Sequence, residues 1–157
     1  KDIKIKFAIS AESTHKFFEF IRYGSDWTDF KNKIDVIKSY NHDVEFISTI
    51  SNICLFDYHN FYNEFVSKGR ININHMGEQP HLSPHVMDEL SKEECRTHIM
   101  KIKDNRQRSL LIEMIERTPS DNERRMLGSY LRQLSSRRDL SLKFLPETFL
   151  KWCEATG

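Results

Sequence analysis

The sequence predicts an α/β fold in which three parallel strands alternate with helices and a helical region follows. Two observations predict it. In the first half, short apolar segments of strand length alternate with longer segments whose apolar residues recur at helical spacing; that order implies right-handed parallel crossovers in one sheet. Beyond Met76 the strand-like segments cease and amphipathic helical patterns succeed one another. The expected division is residues 1–83 for the βαβαβ part and 84–157 for a helical region packed on it.

Residues Asp2 to Ser10 alternate charged and apolar, with Ile3, Ile5, Phe7, Ala8 and Ile9, and read as a strand entering a buried sheet. A short aromatic turn, Phe17, Phe18 and Phe20, follows before Gly24 and Ser25 break the pattern. Asp26 is suited to cap a helix to about Asn41, with Trp27, Phe30, Ile34, Ile37 and Tyr40 on one stripe. The second strand, Asp43 to Ser51, is largely apolar through Val44, Phe46, Ile47 and Ile50, as strands covered on both faces are. Asp57 then opens a helix carrying Phe61, Tyr62, Phe65 and Val66, Gly69 stops it, and Arg70 to His75 forms the third strand.

The loop from Met76 to Pro84 is marked by Gly77, Pro80 and Pro84. Ser91 with Glu94 fits a capping box for a helix running through Ile99 and Ile102. Leu110, Leu111, Met114 and Ile115 mark another helix. Met126, Leu127, Tyr130, Leu131 and Leu134 mark a long one. A last helix after Pro146 carries Phe149 and Trp152.

The 157 residues suffice for one domain with its own core, and 30% charged against 38% hydrophobic residues fit a soluble globular protein. A net charge of +1 gives no global pull toward nucleic acid or an anionic membrane. No apolar run has the length of a membrane span, and the charged, alternating start does not read as a signal peptide. Cys54, Cys95 and Cys153 are far apart and odd in number, which suggests a reducing, cytoplasmic setting and no disulfide framework. The first residue is lysine, so the chain is expected to begin inside an element. His81 with His85, and Cys95 with His98, have spacings that could serve a metal; seven histidines make such pairs common by chance, and no metal site is assigned. The arginines Arg124, Arg125, Arg132, Arg137 and Arg138 are interleaved with Asp121, Glu123 and Asp139, which favours a solvated face over a nucleic-acid site.

The segment Phe20-Ile-Arg-Tyr-Gly-Ser-Asp-Trp27, followed by Phe30 and Ile34, resembles a signature of the radical S-adenosylmethionine (radical SAM) superfamily, in its twitch-domain group. The turn Ser10-Ala11-Glu12 is similar to the group's Ser-x-Asp turn, with glutamate in place of aspartate. Phe46 to Asn52 resembles its next strand, and Gln79-Pro80-His81-Leu82-Ser83 its third-strand loop. Leu134 to Arg138 and Phe144 to Glu147 match its closing elements more weakly. The resemblance implies the carboxyl-terminal half of a parallel (β/α) partial TIM-like barrel with a helical tail. It implies an intact enzyme that cleaves S-adenosylmethionine reductively and abstracts hydrogen from a substrate. The cofactors would be S-adenosylmethionine and a 4Fe–4S cluster held by a CxxxCxxC motif. That motif does not occur here, so the chain alone is expected to bind neither cofactor, to lack a catalytic residue and to be inactive. The implied partner is the amino-terminal half of the barrel; without it the exposed first strand, Ile3 to Ile9, is expected to be covered by a second copy, as a homodimer, or by the helical tail. A non-catalytic interaction module and a nucleic-acid-binding helical protein are the alternatives.

A barrel binds ligands at the carboxyl ends of its strands, and the candidate cofactor-binding residues sit there. Ser10 and Glu12 face ribose hydroxyls or an ammonium group, Arg22 a carboxylate, and Thr49, Ser51 and Asn52 offer neutral polar contacts. Pro80 and Leu82 would pack an adenine face. Each has an ordinary use as well: Ser10 and Glu12 as caps, Arg22 as an ion-pair partner, Thr49 to Asn52 as turn formers, Pro80 and Leu82 as loop packing.

Overall fold

A computed structural model describes residues 3–138 and 141–155. Asp2 and Asp139, which enter the sequence reading above, lie outside the described residues. The described chain is α/β, with strands β1 (Lys6–Ser10), β2 (Asp43–Ile50) and β3 (Arg70–His75) in one sheet of order β1-β2-β3. Both pairings are parallel, with Phe7 opposite Val44, Ser10 opposite Ile47, and Ile50 opposite His75. The expected parallel βαβαβ order is therefore present.

The helices are α1 (His15–Ile21), α2 (Trp27–Ser39), α3 (Asn52–Leu55), α4 (Tyr58–Phe65), α5 (Glu89–Ile99), α6 (Asn105–Ile115), α7 (Asp121–Arg138) and α8 (Glu147–Ala155), with a 3₁₀ turn at Pro80–Leu82. Four local expectations change. The aromatic turn is the helix α1, in which Phe18 and Phe20 are buried and Phe17 packs edge-on against Phe144. The short helix α3 stands between β2 and α4. Asp57 precedes α4 without capping it, because its carboxylate instead accepts from the Thr14 backbone N–H at 2.5 Å and the Thr14 hydroxyl at 2.8 Å. The cap of α5 is Asp88, which accepts from Ser91 N–H at 3.0 Å, so Ser91 lies in the first turn rather than before it.

Strand order decides where the helices lie. Right-handed crossovers that always step the same way carry their helices over the same face of the sheet. The face bearing Val44, Phe46, Ser48 and Ile50 is buried. The Phe46 ring meets Phe61 and Phe65 of α4 at centroid distances of 5.6 and 5.1 Å. Trp27 of α2 joins the same cluster edge-on to Phe65. The opposite face has no such cover: Lys6, Ala8, Ser10, Arg70 and Asn74 are exposed, and Glu45, Ile47, Thr49 and Asn72 half-buried.

The two sheet edges also differ. Gln107 of α6 donates to the Ile71 carbonyl of β3 at 3.1 Å and accepts from the Tyr58 hydroxyl at 3.2 Å, so a side chain occupies part of that edge. The helices after β3 pack over the first half through α5, against α3 and α4, and through α7, against the Pro80–Leu82 turn. Among the described residues no backbone hydrogen bond joins the outward groups of β1 to the helical tail. Since Ala11 N–H donates to Ile47 and the Ile5 carbonyl accepts from Asp43, alternation turns Lys6, Ala8 and Ser10 toward the free edge. Among the described residues no helix is long and apolar enough to cross a membrane.

Candidate functional site

The carboxyl ends of all three strands lie at one end of the sheet, because the strands are parallel. Ser10 and Thr49 fall on the bare face, where Thr49 is paired with Asn74. The same face carries a polar trio nearer the middle: Glu45 accepts from Lys6 Nζ and from Asn72 Nδ2, each at 2.7 Å. The Lys6 bond, followed by the Asn72 bond, holds the Glu45 carboxyl below its ordinary range. Glu45, Asn72 and Asn74 were missed by the sequence reading. The signal for them is the alternation Arg70-Ile-Asn-Ile-Asn-His75, since a strand covered on both faces would be apolar throughout.

Beyond β1 the chain turns inward. Ser48, fully buried, donates to the Ala11 carbonyl at 2.6 Å and fixes this turn against β2. Glu12 is thereby buried, and it meets Arg22, which follows α1, at 2.6 Å. The Arg22 side chain stays 30% exposed, and its Nε is buried without a partner among the described residues. Burial pushes the Glu12 carboxyl above its ordinary value, while Arg22 pulls the other way. Glu12 and Arg22 thus come together as predicted site residues, with part of the Arg22 fork already occupied.

Ser51 and Asn52 are drawn to the helix side. Ser51 caps α3, its hydroxyl accepting from Cys54 N–H at 3.2 Å. Asn52 Nδ2 donates to the His81 and Val86 carbonyls, both at 3.0 Å, and so ties the loop after β3 to the end of β2. Its Oδ1 is buried with no partner among the described residues. Leu82, on the tied loop, is buried, whereas Pro80 beside it is exposed. The eight candidates therefore form two touching groups, Glu12 with Arg22 and Asn52 with the Pro80–Leu82 turn. Ser10 and Thr49 stand on the open face of the sheet, and the Ser51 hydroxyl is engaged in its helix cap.

The chain's own thiols do not fit an iron–sulfur cluster. Cys54, Cys95 and Cys153 are buried on α3, α5 and α8, and burial pushes the Cys54 and Cys153 thiols up to about 12 and Cys95 upward as well. Among the described residues no three histidine, cysteine or acidic side chains converge as metal ligands would. No family model, curated protein or solved structure matches the chain.

The Glu12–Arg22 pair gives a pH-dependent expectation. With the folded pKa of Glu12 above 4.5, stability is fullest below that value and declines as pH rises through the folded pKa. Removing Arg22 leaves the ionised carboxylate buried alone. Arg22→Ala should cost about 2 kcal/mol at neutral pH, below the usual cost of breaking a fully buried pair because the guanidinium is partly solvated. The loss should shrink once Glu12 is protonated. Urea unfolding of both proteins at pH 7 and at pH 4 measures it, and an equal loss at the two pH values would contradict the assignment.

Proposed function

We propose that this chain is the carboxyl-terminal part of a radical SAM enzyme of the twitch-domain group, contributing the last strands of a partial (β/α) barrel and the helices that pack on them. The observation that carries the reading is the one-sided cover of the parallel sheet. Doubly wound sheets are covered on both faces. A sheet wound in one direction, with helices outside and polar residues inside, suits the wall of a barrel that encloses a ligand. The free edge of β1 suits a junction with preceding strands of the barrel, and the chain's partner on this reading is that amino-terminal half. A second copy of the chain is the competing occupant of the edge. The burial of Cys54, Cys95 and Cys153 at separate places in the core fits a cytoplasmic setting.

Because the cysteines present do not suit the cluster, the reading assigns the cluster to the preceding half, and this chain alone is inactive. The cluster and S-adenosylmethionine supply the reductive cleavage and hydrogen abstraction when both are bound. The residues of this chain would hold the cofactor's polar parts. Ser10 and Thr49 present hydroxyls on the lumen face, and Asn74 adds an amide beside Thr49. Arg22, partly exposed, keeps donor capacity beyond its single bond to Glu12. Asn52, fully buried, holds the turn on which Pro80 offers an exposed apolar surface. Ser51, Leu82 and Glu12 act behind these groups, as a helix cap, as packing and as the brace of Arg22.

The coding sequence preceding Lys1 tests the reading. An in-frame CxxxCxxC motif is expected, and the protein expressed with it should bind S-adenosylmethionine, with Arg22→Ala weakening binding far more than it lowers stability. A reading frame that opens without such a motif, or binding unchanged by Arg22→Ala, overturns the proposal. The first outcome would favour an interaction module that uses the free edge.

A further inference from the structure

A cavity of about 280 Å³ opens at the end of β3, away from the Glu12–Arg22 pair, and His85, Glu113, Arg117, Met76 and Met114 line it. His85 is 5% exposed, and its Nε2 lies 3.3 Å from Oε1 of the buried Glu123. The other Glu123 oxygen is held by the Ser120 N–H and hydroxyl, both at 2.7 Å, so the carboxylate cannot turn away. Burial holds His85 below its usual titration range, against the pull of Glu123, so the ring is neutral at physiological pH. With Nε2–H donating to Glu123, Nδ1 is left as an acceptor. It bonds to no described residue and is not sealed in the interior. A buried carboxylate thus fixes the ring of a histidine that lines the cavity.

Two further charges face the same space without neutralising each other. Glu113, near the end of α6, and Arg117, just beyond it, are four residues apart, and neither side chain joins an ion pair among the described residues. Met76 and Met114 supply the apolar wall. An anionic ligand would meet Glu113, and a cationic one Arg117; a ligand carrying both charges satisfies both.

The geometry points to a binding site for a free α-amino acid with an apolar side chain. The ammonium group donates to Glu113 and to His85 Nδ1, the carboxylate takes the Arg117 fork, and the side chain lies against Met76 and Met114. The site belongs to this chain and does not depend on the radical SAM reading, so each can fail without the other.

The test is a titration of the full chain at pH 7.5, following the His85 ring signals by NMR, with L-leucine, isocaproate and isoamylamine as probes. L-leucine should shift these signals saturably. The two probes that each lack one charge should bind at least about tenfold more weakly, the cost of one or two lost charge-assisted contacts. Glu113→Gln and Arg117→Gln, both on exposed positions that leave the core untouched, should each weaken L-leucine by about the same factor. No saturable shift with L-leucine, equal binding of the three probes, or unchanged affinity in either variant overturns the assignment.

Discussion

Trp27→Ala should destabilise the protein by about 3–5 kcal/mol, the cost of truncating a large aromatic in a packed core. The size follows from position. Trp27 opens α2, where Asp26 caps the helix by accepting from Asp29 N–H at 2.7 Å. At that first position the ring is 3% exposed and sits among other rings: stacked on Phe30, and edge-on to Phe18 of α1 and to Phe65 of α4. Its loss therefore loosens three helices at their common contact. Nothing in this cluster is flexible enough to fill the space, because its members are themselves locked ring against ring. Urea unfolding measures the effect; a change under about 1 kcal/mol would show that the ring does not sit in the core.

Gly69→Ala is the second large expectation, at about 3 kcal/mol, the upper range for forcing extra volume into a packed region. Gly69 is not at a left-handed position. Its importance is a close approach: a Cβ there would collide with the backbone carbonyl of Val44, at the point where the chain leaves α4 and enters β3 beside β2. A backbone group cannot swing aside as a side chain can, so the strand pair must separate or the turn must shift. Thermal unfolding of the variant should show the loss, together with faster amide exchange at Glu45 and Phe46. A neutral substitution would mean that β3 does not run this close to β2.

Much of the fold is readable in the residues because β2 and β3 are bounded by unambiguous signals, Gly69 on one side and the polar Asn41–Asp43 stretch on the other. The failures have physical causes. In α1 the aromatics point to more than one side, Phe18 toward Trp27 and Phe30, and Phe17 and Phe20 toward Phe144, so seven residues show no single apolar stripe. At four residues α3 is too short to display a period and is fixed by the Ser51 cap. Ser91 lost the cap of α5 to Asp88, a carboxylate three residues earlier with extended backbone suited to that role. The candidate site was legible by position along the strands but not by direction. Sequence spacing places Ser51 and Asn52 at the end of β2; it does not reveal that their side chains are taken up by a cap and a loop tie. The polar face of the sheet was legible in the alternation of β3 and was overlooked because parallel strands were expected to be covered on both sides.

The proposed barrel reading requires β1 to be an open sheet edge that preceding strands cover, and amide exchange along β1 tests this most directly. In this chain the Lys6, Ala8 and Ser10 amides should exchange quickly while Phe7 and Ile9 are protected by β2. In the protein translated with the preceding reading frame, all five should be protected. Protection of Lys6, Ala8 and Ser10 in this chain alone, or their continued fast exchange in the longer protein, would contradict it.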